Sequence, residues 1–260
     1  MENGYRQLTQ SDIISVDSTQ QNQLGAVGQT EDGRKFVYAL IGGTSAVAPG
    51  TLLVQPAAPA NSTGLAISAS NTSAQLSAGS FSILLTNGST AVAQDQFKEG
   101  FLEVLQTSGS NNGPQSYRIA GNSAAGNGGV ITVSLADPLV NSSALVAGTD
   151  TASLVLSPYA GAVASTTASL YAGVLRAQVV NTASVSNYAW LQVGGLGLIT
   201  LDATTGGITL GAGLYQSTTT AGAVSKTAPT LSNGTAVPLG IARSTVAASG
   251  QASVYLQICY

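Results

Sequence analysis

From Leu24 onward the chain is filled with short apolar runs that alternate with polar residues and are cut every few positions by Gly, Asn, Ser or Pro. Alternation with a period of two marks half-buried strands, and "VITVSL" and "SLVLS" are the cleanest cases. In "LGAVGQTEDGRKFVYALIGG" the pair Asp32-Gly33 separates two apolar runs and predicts a tight hairpin turn, because Asp-Gly favours positive φ. Pro49-Gly50 predicts a turn before a strand at 51–55, and "LAISAS", "FSILLT" and "TAVAQ" read as brief strands within 56–94. The last third runs as strands almost without interruption: "GVLRAQVV", "YAWLQVGG", "LGLITLD", "GITLGAGLYQS", "AGAVSK", "AVPLGIARS" and "ASVYLQICY". Helix interiors would suffer from so many glycines and hydroxyl side chains. The pattern predicts an all-β chain, a β-sandwich or barrel-like domain or domains of short antiparallel strands.

Three regions bear on how that fold is divided. Residues 1–23, ending in "STQQNQ", hold few apolar positions and predict a polar, extended N-terminal arm, mobile alone and ordered only against a neighbouring molecule. A β domain is expected over 24–158, with 56–158 a candidate inserted subdomain, and a C-terminal β domain over 159–260; an alanine-rich helix at 159–172 is the alternative for that stretch. In residues 95–121, Phe97, Phe101 and Leu105 recur every four residues as on a helix, but Gly100 interrupts. "FLEVLQ", "SGSNNGP" and "QSYRIAG" read better as strand, loop, strand, which would let Glu103 pair with Arg118 across the hairpin.

The stretch "YAWLQVGGLGLITLD" holds the single tryptophan, Trp190, and Gly195-x-Gly197, which looks like the start of a phosphate-cradling loop. The third glycine of that motif is missing, its place held by Thr200. Ile199 and Leu201, then Ile208 and Leu210, flank a Thr-Gly-Gly turn and predict a hairpin instead. Trp190 is expected to be buried as core, on a strand whose glycines let another backbone come close.

Composition narrows the function classes. Charged residues make up only 7% of the 260 and the net charge is -3, so the basic patch of a nucleic-acid binder is missing and a surface of small uncharged residues is expected. There is no histidine, the commonest general base near neutral pH. The single cysteine, Cys259, permits no intrachain disulfide. Neither a signal peptide nor a membrane span is expected. Asn61, Asn71, Asn87, Asn141 and Asn233 each open a glycosylation-like tripeptide, read as turn composition. Glu31 and Asp32 read as turn residues. Asp95, Glu99 and Glu103 would share a face, as an acid/base pair needs, only on a helix; the other reading is a solvated or interface-facing cluster. Nine tyrosines (5, 38, 117, 159, 171, 188, 215, 255 and 260) offer rings for a sugar, though most lie in strand patterns where packing is the simpler use. No catalytic, cofactor-binding or metal-ligating residue is assigned, and no cofactor is expected.

The order of elements in the last third, where Trp190 precedes a Gly-rich strand, then "GAGLYQSTTTAGAVSK", then "PLGIA" before a final strand, resembles the decoration (cement) proteins of tailed-phage capsids. "DQFKEGFLEV", "GPQSYRIAG", "LADPL" and "SPYAGAV" look like the virion structural proteins encoded near phage major capsid genes. The resemblance covers most of residues 24–260 and rests on structural glycines and strand patterns. It implies a homo-oligomer, commonly a trimer, on the capsid exterior, with the major capsid protein as partner, synthesis in a bacterial cytoplasm, and no nucleic-acid or membrane partner. A receptor- or glycan-binding head-fibre or tail protein is the alternative, and a Glu/Asp glycosidase using Glu99 and Glu103 is a third class.

Overall fold

The computed structural model describes residues 5–108, 113–140, 144–167, 169–180, 186–231, 234–247 and 250–258. Cys259, Tyr260, Asn141 and Asn233 lie outside the described residues. The chain begins with β1 (Arg6–Leu8), helix α1 (Gln10–Ile14), β2 (Val27–Thr30), β3 (Lys35–Ile41) and β4 (Leu52–Val54). Next come β5 (Leu65–Ala66), β6 (Ser82–Thr86), β7 (Phe101–Gln106), β8 (Gly113–Asn122), β9 (Val130–Leu135) and β10 (Thr151–Val155). The remainder holds β11 (Ala160–Ala162), β12 (Tyr171–Leu175), β13 (Asn187–Thr200), β14 (Gly213–Gln216), β15 (Val224–Ser225), the small pair β16 (Thr230–Leu231) and β17 (Gly234–Thr235), then β18 (Gly240–Ala242) and β19 (Gln251–Gln257). The protein is all-β, as the alternation predicts, and strands β11 and β12 stand where the alanine-rich helix was the alternative.

Two compact units divide the chain, one of residues 1–56 with 158–260 and one of residues 57–157. A cut between 24–158 and 159–260 would therefore separate partners. Strand β3 pairs antiparallel with β13 from Ile41–Asn187 to Lys35–Gly194, so residues on either side of the second unit share one sheet.

In the first unit the large sheet runs β1-β2-β3-β13-β19-β18-β14-β15, with β11 on β3 and β12 on β13 and β4. Strand β13 is its spine: the first half pairs with β3 and the second half, Gly194 to Thr200, with β19. A bulge between Gln192 and Gly194 separates the halves, and such an extra residue bends a strand and raises its twist. Gly195 follows at φ 83°, where a Cβ would meet the Arg34 Cα at 3.1 Å. The glycines of "VGGLG" thus serve a bent strand interior rather than a phosphate loop. The predicted hairpin after it is also corrected. Leu201 bridges to Val224 and Ile208 to Val246, because a 3₁₀ turn at Ala203–Thr205 redirects the chain away from β13.

Both faces of the β3–β13 pair are covered. Val37, Ala39, Leu191 and Val193 join the main core, whereas Phe36, Tyr38 and Trp190 point to a smaller cluster closed by Leu8 and Ile13. The N-terminal segment is therefore docked on its own chain rather than extended and dependent on a neighbour. Its few apolar residues suffice because they meet a preformed aromatic surface. Thr9 and Asp12 form a reciprocal capping box that starts α1 and aims Ile13 inward. Tyr38 hydroxyl donates to the Asp17 carboxylate at 2.8 Å, and Asp17 bridges to Tyr188. Arg6 lies over Trp190, 5.9 Å from the ring centroid, and Lys35 lies over Tyr5 at 5.6 Å; each contact is worth about 0.5–1 kcal/mol at such sites.

The second unit is one six-stranded sheet, β5-β10-β7-β8-β9-β6, that nearly closes on itself. An Ile67–Leu85 bridge, with Ser68 N–H donating to the Leu84 carbonyl at 2.9 Å, joins the end of β5 to β6. Leu102 and Val104 of β7, Ile119 of β8, Ile131 and Val133 of β9 and Leu154 of β10 fill its interior with Phe97. The hairpin reading of residues 95–121 holds, since β7 pairs antiparallel with β8. Asp95 and Glu99 both adopt left-handed backbone, at φ 57° and 62°, which ends any helical continuation.

Trp190 is 3% exposed, so its fluorescence reports directly on the docked segment. Deleting residues 1–14 should shift its emission to the red and lower stability; unchanged emission would contradict the docking. Trp190→Ala should cost about 3–5 kcal/mol in urea unfolding, the usual loss for emptying a fully enclosed aromatic site.

Candidate functional site

The two buried carboxylates, Asp202 and Asp150, are each consumed by structure. Asp202 is buried at the end of β13 and accepts the Thr204 N–H at 2.9 Å, the Thr204 hydroxyl at 2.8 Å and the Thr220 hydroxyl at 3.1 Å. Ser217 and Thr219 hydroxyls donate to its other oxygen. Burial alone would raise its pKa, but these donors outweigh that and hold it well below the usual carboxylate range. Asp150 plays the same part in the second unit. It receives N–H groups from Thr107 at 2.7 Å, Ser108 at 2.9 Å and Val146 at 2.8 Å, together with the Ser108 hydroxyl at 2.6 Å. Burial again pushes upward and the donors pull its pKa down. A carboxylate saturated by donors is a poor general base, because protonation forfeits those bonds.

The other carboxylates singled out from the sequence are scattered. Asp32 sits in the β2–β3 turn, where Gly33 has φ 83°, and pairs with Arg34 at 2.8 Å; that guanidinium and then the Thr30 hydroxyl lower its pKa to about 2. It lines, with Glu31, Gln7, Thr9 and Gln10, an open groove of about 590 Å³ beside the N-terminal segment. Asp95 accepts the Asn122 N–H at 3.3 Å. Glu103 faces outward on β7, directly across from Ser116, while Arg118 stands opposite Phe101. The expected Glu103–Arg118 pair is thus not directly cross-strand: Arg118 lies two residues along β8 from the position opposite Glu103. Asp95, Glu99 and Glu103 do not share a helical face, so the acid/base arrangement that needed a helix is not built. Among the described residues no three His, Cys, Asp or Glu side chains are grouped to share a metal ion.

What the structure does assemble is surface. Tyr38 and Tyr117 are buried, Tyr159, Tyr171, Tyr188 and Tyr215 are half-buried, and Tyr5 and Tyr255 are exposed. Tyr255 does not stand alone. The register places Leu196 of β13 across from Tyr255 of β19, and Tyr255 across from Ile241 of β18, so three exposed apolar side chains form a row over three strands. Leu198 continues it along β13. The opposite side of the same strands, with Val254, Ala242, Ile199 and Ala252, belongs to the core. On the second unit Phe101 and Leu105 of β7 and Val155 of β10 form a comparable outer patch, Phe101 being directly across from Val155. Sequence alternation reveals that these residues share faces, but not that strands distant in the chain line them up.

The stability that the two caged carboxylates provide has a definite pH dependence. Their pKa values lie below those of the unfolded chain, so their contribution is complete above about pH 4 and is lost as the pH falls through the folded values. Urea midpoints should hold from neutral pH to about pH 4 and then decline. Asp202→Asn should cost roughly 1–3 kcal/mol at pH 7, since the amide leaves hydroxyl donors unmatched, and should flatten the acid decline; a variant that declines as steeply as the parent would show that Asp202 does not carry it. No family model, curated protein or solved structure matches this chain.

Proposed function

We propose that this chain is a structural protein of a virus particle, a head decoration (cement) protein that sits as a homo-oligomer, commonly a trimer in such proteins, on the outside of a tailed-phage capsid and binds the major capsid protein. The observation that carries the reading is the pairing of exposed apolar sheet faces with a surface nearly free of charge. Eight Lys and Arg and eleven Asp and Glu serve 260 residues, so burying this surface desolvates few ions. Leu196, Leu198, Tyr255 and Ile241 supply an apolar centre of the kind that permanent interfaces use. The described carboxylates with shifted pKa values tie turns together, which suits a scaffold without chemistry of its own.

Quantifying the protein against the major capsid protein in purified particles tests this directly. Hundreds of copies per particle are expected, whereas a few dozen or fewer would favour the receptor-binding fibre or tail reading, and none would overturn both. Because contacts of this composition depend on buried apolar and small polar area, the bound protein should stay on particles in roughly 0.3 M salt, where exposed ion pairs are largely screened, and should leave with heat or denaturant. Release by that salt alone would contradict the proposal.

A further inference from the structure

Strand β13 is not paired along the whole of its β3 side. The last β3–β13 pair is Lys35 with Gly194, and the next backbone bond on that side is the Thr200 N–H donating to the Gly50 carbonyl at 2.9 Å. The register shows what faces the gap between them. Ser253 gives its carbonyl to the Arg243 N–H, away from β13, so its cross-strand neighbour Leu198 turns its own N–H and C=O away from β19 and into the gap. Leu196 does the same two residues earlier, by the alternation of an antiparallel ladder.

Side chains rather than a strand take the carbonyls there. Gln192 Nε2 donates to the Leu196 carbonyl at 2.9 Å and to that of Gly194 at 3.2 Å, and Arg176 Nη1, just beyond β12, donates to the Leu198 carbonyl at 2.7 Å. Arg34 lies against the strand at the other end, its Cγ 3.1 Å from where a Cβ of Gly195 would stand. Two groups in this row are unmatched. Arg176 is half-buried, yet among the described residues its guanidinium meets a neutral carbonyl and no carboxylate, whereas Arg34 has Asp32. Burial, and then the like charge of Arg34, hold the Arg176 pKa below the ordinary arginine value. Gln192 is fully buried, and its Oε1 has no hydrogen-bond partner among the described residues; it lies beside Gly197, 2.7 Å from where a Cβ would stand. A guanidinium drawn out of water calls for an anion, and a buried carbonyl oxygen calls for a donor.

We propose that this gap binds hydrogen phosphate, with Arg176 and the Leu198 N–H donating to its oxygens and its P–OH donating to Gln192 Oε1. The guanidinium fork matches the spacing of two phosphate oxygens. Hydrogen phosphate fits better than sulfate or a carboxylate because at neutral pH it combines acceptor oxygens with a proton to donate, whereas a fully ionised anion would set lone pair against lone pair at Gln192 Oε1. With only Leu196 and Leu198 turned toward it, the gap suits a small ion rather than an added strand. The arrangement is not a glycine-rich phosphate loop, since its donors are a side chain and a strand edge and no helix begins there.

The test uses free, full-length protein, so its outcome is separate from that of capsid binding. Isothermal titration with inorganic phosphate at about pH 7, ionic strength held constant with sodium chloride, should show saturable binding at one site per chain, and sulfate should bind at least about tenfold more weakly. Arg176→Gln should weaken phosphate binding by at least about tenfold, with unchanged Trp190 emission as the check on folding. Should that variant unfold, Arg176→Lys, which keeps the charge and loses the fork, should bind phosphate more weakly than the parent. A parent chain without saturable phosphate binding overturns the inference, as does a folded Arg176 variant that binds phosphate as well as the parent. Sulfate bound as tightly as phosphate would overturn the part given to Gln192 Oε1.

Discussion

The backbone ladder of β13 is the constraint on which the first unit rests. Its residues 187–194 satisfy their hydrogen bonds on β3 and its residues 194–200 on β19, and β12 adds a third partner near Leu191. In the sheet order β13 lies between these two neighbours. The bulge after Gln192 and the left-handed Gly195 supply the bend between them. Everything else in the unit is placed by that strand. Its first half carries Trp190 to the aromatic face that receives the N-terminal segment, and its second half presents Leu196 and Leu198 to solvent beside Tyr255. The glycines that most resembled a ligand loop are better understood as what lets one strand serve two parts of a sheet.

How the N-terminal segment is held illustrates a division of labour between few residues. Leu8 and Ile13 bury apolar surface, Thr9 and Asp12 fix the short helix between them, and Asp17 and Tyr38 tie the far end. Three cations near this face, Arg6, Arg34 and Lys35, lie over aromatic rings. In a chain so poor in charge, this concentration makes the segment the electrostatically richest part of the first unit. Salt should therefore be felt here before it is felt in the sheets.

Local patterns were legible in the sequence to the extent that their causes are local. The alternation in "FLEVLQ" maps residue by residue onto outward Phe101, Glu103 and Leu105 and inward Leu102, Val104 and Gln106, and Asp32-Gly33 makes the turn its chemistry requires. Pairings between distant strands left no such mark. Nothing in residues 35–41 announces Trp190 as the neighbour of Tyr38, and a polar run ending in "STQQNQ" conceals the fact that two apolar residues before it have an aromatic surface waiting. The same holds for Asp202, whose donors Ser217, Thr219 and Thr220 come from a hydroxyl-rich run that reads as a generic loop. Glu103 and Arg118 miss direct pairing for a narrower reason: the pattern predicts the hairpin, but a loop of uncertain length does not fix its register, and Arg118 falls two residues from the position opposite Glu103. The apolar patches of the candidate surface were legible strand by strand and became visible as patches only once the sheet order was known.

The position of the second unit within the first has a kinetic meaning. The Val54–Val163 bridge, with its two backbone hydrogen bonds, closes a loop of about a hundred residues in the unfolded chain, and the entropy of such a closure rises as the logarithm of its length. Residues 57–157 form a contiguous barrel with its own core and are able to organise first. Once they do, the loop that β4 and β11 must close shrinks from about a hundred residues to a short connection, a saving of roughly 2–3 kcal/mol on the logarithmic scale. The inserted barrel then acts as a folding clamp for the sheet that surrounds it in sequence, so a lesion in its core would slow assembly of strands with which it shares no hydrogen bond.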